Sequence, residues 1–93
     1  MITLFPRTKF VDEYIFELGF QDAIYKQIDV VYSEIEEVKE ALSRHDDRHT
    51  IEEVIDSIHA LQQIVHAMPD GPRLYQTISE EVIEKNRKRG YYE

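Results

Sequence analysis

The stretch 22-DAIYKQIDVVYSEIEEVKEALSR-44 decides the fold class. Its apolar positions are separated by steps of four, three, four, three and four, and they are Ile24, Ile28, Val31, Ile35, Val38 and Leu42. This spacing places them on one face of an α-helix and does not match the alternation of a β-strand. We therefore predict a long amphipathic helix from about Asp22 to Arg44.

Two further helices are predicted at the ends of the chain. The first spans roughly 8–18 and stops at Gly19, since glycine suits a left-handed cap position. The last follows the break 69-PDGP-72, which puts a proline in its first turn, and it ends before Gly90. Short connections between such helices are typical of an antiparallel bundle.

A third helix is predicted from Thr50 to about Met68. Thr50 resembles an N-cap, and Glu53 three residues later completes a possible capping box. Gln62 and Gln63 lie off the apolar stripe of this segment. The stripe consists of Ile51, Val54, Ile55, Ile58, Leu61 and Val65.

The whole chain, residues 1–93, is predicted to be one all-α domain, an antiparallel bundle of about four helices. A chain this short buries only about 60% of its unfolded surface, and it has no cysteine for disulfide bonds. Each long helix carries a broad apolar stripe that four short helices cover poorly. We therefore expect the bundle to be completed by dimerisation, as a homodimer or homotetramer.

Composition restricts the class of partner and the compartment. The formal net charge is −8, from 19 acidic and 11 basic residues, and such a chain repels nucleic acid polymers. No stretch approaches the roughly 20 apolar residues of a membrane helix, so no membrane partner is expected. The lack of cysteine and of a signal-peptide pattern favours the cytoplasm.

Two acidic motifs stand out. Glu36-Glu37-x-x-Glu40 and Glu53-x-x-Asp56 each contain two carboxylates three residues apart, and residues at that spacing share a helix face. Two adjacent antiparallel helices would bring the two pairs together, where the carboxylates would repel one another without a cation between them. Mg²⁺ prefers such oxygen ligands, and Mn²⁺ accepts the same set.

The acidic side of the third helix also carries apolar residues. Ala60, Ile64 and Ala67 lie on it at about 100° per residue, so we expect this side to line a partly enclosed groove. Simpler interpretations exist for each motif alone. The carboxylates are explained as a solvated helix face, and Glu53 as the capping partner of Thr50.

The order of these motifs resembles the signature of MazG-like, all-α nucleoside triphosphate pyrophosphohydrolases. The resemblance covers roughly residues 22–91 and includes the basic tail 85-KNRKRGY-91. It implies cleavage of a (d)NTP to a (d)NMP and pyrophosphate, for nucleotide-pool cleaning or control. One departure is Val82, where some members have a lysine. A basic tail also simply complements the dipole of a helix C-terminus.

The resemblance also implies roles for individual residues. The carboxylates that would hold Mg²⁺ are Glu37, Glu40, Glu53 and Asp56. The catalytic set would be Glu36, Glu37 and Glu53, with Glu36 supporting the site or positioning the attacking water. The groups that would contact phosphate oxygens are Lys85, Asn86 and Arg89, which suit phosphate as cations and hydrogen-bond donors.

Two alternatives remain open at this point. The acidic face would also suit a non-catalytic helical module that binds a basic protein surface, or a family member that has lost activity. An enzyme should lose nearly all function with one carboxylate, whereas a binding face should lose affinity charge by charge. The aromatic residues that are candidates to stack on a base, or simply to pack, are Phe16, Phe20, Tyr25, Tyr32 and Tyr75.

Overall fold

The computed structural model describes residues 3–93, and within them the chain forms four helices and no strand. The helices are α1 (Lys9–Leu18), α2 (Phe20–Ser43), α3 (Asp47–Ala67) and α4 (Gly71–Lys88). The long helices α2 and α3 pack along each other, α1 packs against both, and α4 contacts α3 alone among these helices. The prediction of an all-α bundle of about four helices is confirmed.

The first two helices are joined by a single residue. Gly19 ends α1, and α2 begins at Phe20, two residues before the predicted start. Gly19 has φ 84° and ψ 165°, a region that is open almost only to glycine. The predicted cap is therefore in the right place, and its positive φ turns the chain directly from one helix into the next.

The start of α3 differs from the prediction. The helix begins at Asp47, and its N-cap is Asp46, whose side chain accepts a hydrogen bond from the His49 amide at 3.0 Å. Thr50 lies inside the first turn and donates its hydroxyl to the Asp46 carbonyl at 2.7 Å. The prediction that Thr50 caps α3 is wrong, because an aspartate four residues earlier performs this role. Glu53 is thus free of any capping function.

A close backbone contact fixes the start of α4. A Cβ atom on Gly71 would lie 1.8 Å from the Val65 carbonyl oxygen, so only glycine fits where α4 crosses the end of α3. Asp70 precedes it as the N-cap with φ 56°, and a proline follows in the first turn as predicted. The break 69–72 therefore sets the direction in which α4 leaves α3.

The interior is built from small and polar side chains. The buried apolar residues are Val11, Ala23, Val31 and Ala41, and no large side chain of the described residues is fully buried. Gln62 and Gln63, which lie off the apolar stripe, are buried as well. The buried residues of α2 are Ala23, Gln27, Val31 and Ala41, and those of α3 are Glu53, Gln62 and Gln63, so the buried positions of the long helices are mostly small or polar.

Most of the α3 stripe and part of the α2 stripe are exposed, although Val31 of the α2 stripe is buried. We call the exposed large apolar residues of these two helices from Tyr25 to Leu61 the outer stripe. They are 40–64% exposed, and they are Tyr25, Tyr32, Ile35, Leu42, Ile51, Val54, Ile55, Ile58 and Leu61. A large number of exposed apolar side chains on two packed helices is typical of an interaction surface.

The chain is also extended for its length. The radius of gyration of the Cα atoms is 15.2 Å, against about 12 Å for a compact chain of this size. Its dimensions are 42 × 36 × 19 Å, so the molecule is a thin slab. Within residues 3–93, none of the helices combines the length and apolar character that crossing a lipid bilayer requires.

Two buried glutamines fasten the segment 3–8 to α3. The Gln63 Oε1 atom accepts a hydrogen bond from the Thr8 amide at 2.9 Å, and its Nε2 atom donates to the Pro6 carbonyl at 3.0 Å. Gln62 makes an equivalent pair of bonds nearer the N-terminus. These side-chain amides pair with backbone N–H and C=O groups of residues 3–8. This pairing explains why polar residues occupy buried positions of α3.

We expect Gln63→Ala to lower the free energy of unfolding by roughly 1–3 kcal/mol, because the Thr8 amide and the Pro6 carbonyl lose their partner. Gln21→Ala is the matched control, since Gln21 is exposed on α2. Urea unfolding of the three proteins at equal chain concentration measures the difference. Equal losses in the two variants would contradict this role of Gln63.

Candidate metal centre and its flanking clefts

Three carboxylates from the two long helices converge where α2 and α3 pack together. Glu34 and Glu37 on α2 and Glu53 on α3 each contribute an oxygen atom, and these oxygens lie within 4.8 Å of one another. We call these three residues the carboxylate cluster. Two of them sit one helical turn apart, and the third projects from the facing helix.

Glu53 is the buried member of the cluster. Only 8% of the residue is exposed, and its Oε2 atom is buried without a hydrogen-bond partner. Its Oε1 atom lies 3.5 Å from the Nε2 atom of His49. A buried carboxylate oxygen without a partner is costly, and such groups in proteins usually pair with a cation or a metal ion.

Burial and mutual repulsion raise two pKa values in the cluster. The pKa of Glu53 is raised above its ordinary value of 4.5, first by burial and then by the neighbouring Glu37 carboxyl. The pKa of Glu34 is raised above the same ordinary value, first by burial and then by the charges of Glu37, Asp56 and Glu53. The cluster is therefore short of positive charge, and a bound cation would relieve this.

The remaining predicted ligands lie on either side of the cluster. Glu40 forms an ion pair with Arg44 and lines a cleft together with Glu37 and Glu53. Asp56 lies close enough to raise the pKa values of Glu34 and Glu53 by its charge. The four predicted ligands thus occur in one region, as the antiparallel arrangement of the two motifs implied.

Glu34 is the member of the cluster that the sequence prediction missed. Glu34-x-x-Glu37 repeats the spacing of Glu37-x-x-Glu40 one turn earlier, and this is the signal that identifies it. Glu36, predicted to be catalytic, points elsewhere: its side chain is exposed and accepts a hydrogen bond from Lys39 Nζ at 3.2 Å. Glu36 lies one residue from Glu37 and so faces another side of α2.

One cleft beside the cluster, which we call the polar cleft, has a volume of about 170 Å³. It combines carboxylates with two groups that can carry positive charge, and it is lined by Glu37, Glu40, Ala41, Arg44, His49 and Glu53. The three-residue turn between α2 and α3 brings Arg44 and His49 to the same end of the two helices. A small anionic ligand beside a cation would fit this combination.

The predicted phosphate-binding residues lie apart from the cluster within one chain. Lys85 and Asn86 are in the last turn of α4, and Arg89 is its C-cap. In the described residues, α4 does not contact α2, and none of the three residues lines the polar cleft. A single chain therefore does not bring them to the carboxylates.

The aromatic residues considered for base stacking do not line the polar cleft. Tyr75 is half-buried, and its hydroxyl accepts a hydrogen bond from Gln62 Nε2 at 2.9 Å. The others are exposed, and they are Phe16, Phe20, Tyr25 and Tyr32.

The raised pKa values predict how stability depends on pH. The folded cluster holds protons more tightly than the unfolded chain does, so ionisation of Glu34 and Glu53 should lower stability as the pH rises above about 4.5. In a metal chelator, Glu53→Gln should flatten this decline, which urea unfolding at a series of pH values measures. An unchanged pH dependence in the variant would contradict the repulsion described here.

The geometry therefore describes a carboxylate cluster that lacks positive charge, with a cleft beside it for an anionic ligand. Its oxygen donors suit a hard divalent cation. Comparison with known proteins neither supports nor opposes this interpretation, because no family model, curated protein or solved structure matches the chain.

Proposed function

We propose that this protein is a Mg²⁺-dependent nucleoside triphosphate pyrophosphohydrolase that acts on the cytoplasmic nucleotide pool. It converts a (d)NTP to the corresponding (d)NMP and pyrophosphate. The observation that carries the proposal is Glu53, a carboxylate that is 8% exposed, with one oxygen that has no partner and two further carboxylates close to it. The resemblance of the two acidic motifs to the MazG-like signature supplies the reaction.

The donor set fits Mg²⁺. All ligands offered by Glu34, Glu37 and Glu53 are carboxylate oxygens, which Mg²⁺ and Mn²⁺ both accept. Asp56 and Glu40 lie beside these three residues and would hold the cation directly or through water. When bound, the cation neutralises charge on the polyphosphate.

The reaction assigns further tasks to the residues of this chain. A water oxygen attacks the α-phosphorus, the bond from that phosphorus to the bridging oxygen breaks, and pyrophosphate leaves with the electron pair. A carboxylate of the site that does not bind the cation directly must take the proton of the water. Arg44 and His49 line the polar cleft and would contact the phosphates.

The active form in this proposal is a homodimer or a pair of such dimers. The outer stripe needs an apolar partner, and the single chain is extended for its length. A second copy carries the same stripe, which is the usual requirement of a two-fold interface. In such an assembly, Lys85, Asn86 and Arg89 would reach the carboxylate cluster of the partner subunit.

The test is a product analysis with a panel of ribo- and deoxynucleoside triphosphates, with Mg²⁺ and with a chelator. We expect nucleoside monophosphate and pyrophosphate to form in equal amounts, and only when Mg²⁺ is present. Release of orthophosphate would place the cleavage at another bond. If the folded protein released nothing from any triphosphate, the enzyme interpretation would be refuted in favour of an acidic interaction module or an inactive relative.

A further inference from the structure

A second cleft adjoins the carboxylate cluster on the side of α1. Its volume is about 240 Å³, and three helices contribute to it. Two acidic residues of the site, Glu34 and Asp56, form part of its wall. Its other main groups are two aromatic rings of α1, Phe10 and Tyr14, and we call it the aromatic cleft.

The two rings of α1 form a paired aromatic wall. The ring centroids of Phe10 and Tyr14 are 6.4 Å apart and the ring planes are inclined by 28°, which is an offset-stacked arrangement. Phe10 remains 49% exposed, although Val11 beside it is buried and anchors α1. An aromatic wall that is left half open beside polar groups is suited to receive another flat ring.

The floor of the aromatic cleft is held in place by hydrogen bonds. Gln27 is buried, and its Nε2 atom donates to the Ala60 carbonyl at 2.7 Å. The Gln63 amide, also buried, fastens the backbone at Thr8, which lines the same cleft. The floor of the cleft is therefore a preformed feature of the packing of α1, α2 and α3.

The carboxylate cluster lies between two clefts of different chemistry. Glu37 and Glu53 line the polar cleft, whereas Glu34 and Asp56 line the aromatic cleft. A nucleotide has the same arrangement, since a flat, largely apolar base is joined through a sugar to a charged phosphate chain. The Lys9 Nζ atom lies over the Phe10 ring, 5.5 Å from its centroid, in a cation–π contact that a base stacked on that face would replace.

We propose that the aromatic cleft binds the nucleobase of the substrate, which stacks on the Phe10–Tyr14 wall. This proposal rests on the proposed function for the identity of the ligand. It assigns base contacts to Phe10 and Tyr14 instead of the five aromatic residues suggested by the sequence. It also makes α1 the part of the chain that sets base preference.

The experiment compares Phe10→Ala with Phe16→Ala, which removes the same ring from the 92% exposed position on the same helix. Calorimetry in the presence of Mg²⁺ measures the affinity for an α,β-methylene nucleoside triphosphate and for inorganic tripolyphosphate. Loss of one stacked ring should weaken nucleotide binding roughly 5- to 140-fold in Phe10→Ala. Tripolyphosphate binding should be unchanged in both variants, and nucleotide binding unchanged in Phe16→Ala.

Phe10→Leu provides a second variant that keeps most of the apolar bulk but removes the aromatic face. It should weaken nucleotide binding less than Phe10→Ala does and leave tripolyphosphate binding intact. Equal weakening of both ligands, or no weakening of either, would overturn the base site. A wild-type protein that binds the nucleotide through Phe10 but releases no pyrophosphate would refute the proposed function and leave the base site standing.

Discussion

Replacing Glu53 by glutamine is expected to reduce Mg²⁺-dependent pyrophosphate release at least about 100-fold. Loss of residues that merely support metal ligands already costs 10- to 100-fold, and Glu53 is proposed to be a ligand itself. The fold should survive, because the substitution removes a buried charge whose pKa is raised by burial and by Glu37. The variant should therefore be inactive and at least as resistant to urea as the wild type without metal.

Glu52→Gln is the matched control for this prediction. Glu52 is adjacent in sequence but about half exposed, and it forms an ion pair with Arg48 at 3.1 Å. Its loss should change activity little, because exposed pairs of this kind contribute at most about 1 kcal/mol. Comparable activity losses in the two variants would indicate a general acidic surface and would refute a specific role for Glu53.

The substitution Ile58→Asp is expected to convert the proposed dimer or tetramer to monomers. Ile58 lies in the outer stripe on α3 and is 45% exposed in the single chain. In a two-fold interface the substitution places two unpaired charges in an apolar contact, which is strongly unfavourable. The wild type should have twice or four times the chain mass of 11.1 kDa in sedimentation or light-scattering measurements, and Ile58→Asp should have a single chain mass and a lower Tm.

Gln21→Asp introduces the same charge at an exposed polar position in the first turn of α2. It should leave the mass and the Tm unchanged, since an acidic residue is favoured at a helix N-terminus. A wild-type protein of a single chain mass would contradict the role of the outer stripe. Such a result would also remove the route by which Lys85, Asn86 and Arg89 reach the carboxylates.

The helices could be predicted from the sequence because their signals are local: the periodicity of apolar residues, and the glycine and proline residues at the helix ends. The stripe of α2, the turn at Gly19 and the break before Gly71 all appear in the structure close to the predicted positions. The start of α3 could not be predicted as well, since Asp46 and Thr50 are both good caps and only the packing selects between them. Such ambiguity is normal at helix ends.

The interior was harder to predict than the helices. The apolar stripe of each long helix suggests the core, yet most of the α3 stripe and two residues of the α2 stripe, Ile35 and Leu42, are exposed, whereas the small Ala41 is 1% exposed. Gln62 and Gln63 are buried on α3 because they bind the backbone of a segment distant in sequence, a contact that periodicity does not reveal. The stripe is instead available for a second copy, so sequence pattern alone does not separate the core from an interface.

The carboxylate site was predictable in type and region but not in its full membership. Two E-x-x-E pairs overlap on α2, one starting at Glu34 and the other at Glu37. Their spacing alone does not show which pair lies opposite Glu53. The choice depends on how far α3 is shifted along α2. In the structure the Glu53 carboxylate lies next to those of Glu34 and Glu37, while Glu40 forms an ion pair with Arg44.

A metal centre at the carboxylate cluster is tested most simply by a calorimetric Mg²⁺ titration of the wild type without nucleotide, beside Glu53→Gln and Glu52→Gln. We expect the wild type and Glu52→Gln to bind Mg²⁺ with similar affinity, and Glu53→Gln to lose Mg²⁺ binding. Mg²⁺ should also raise the Tm of the wild type, because a ligand of the folded state stabilises it. Equal Mg²⁺ binding by all three proteins, or no binding by the wild type, would contradict a metal centre at the carboxylate cluster.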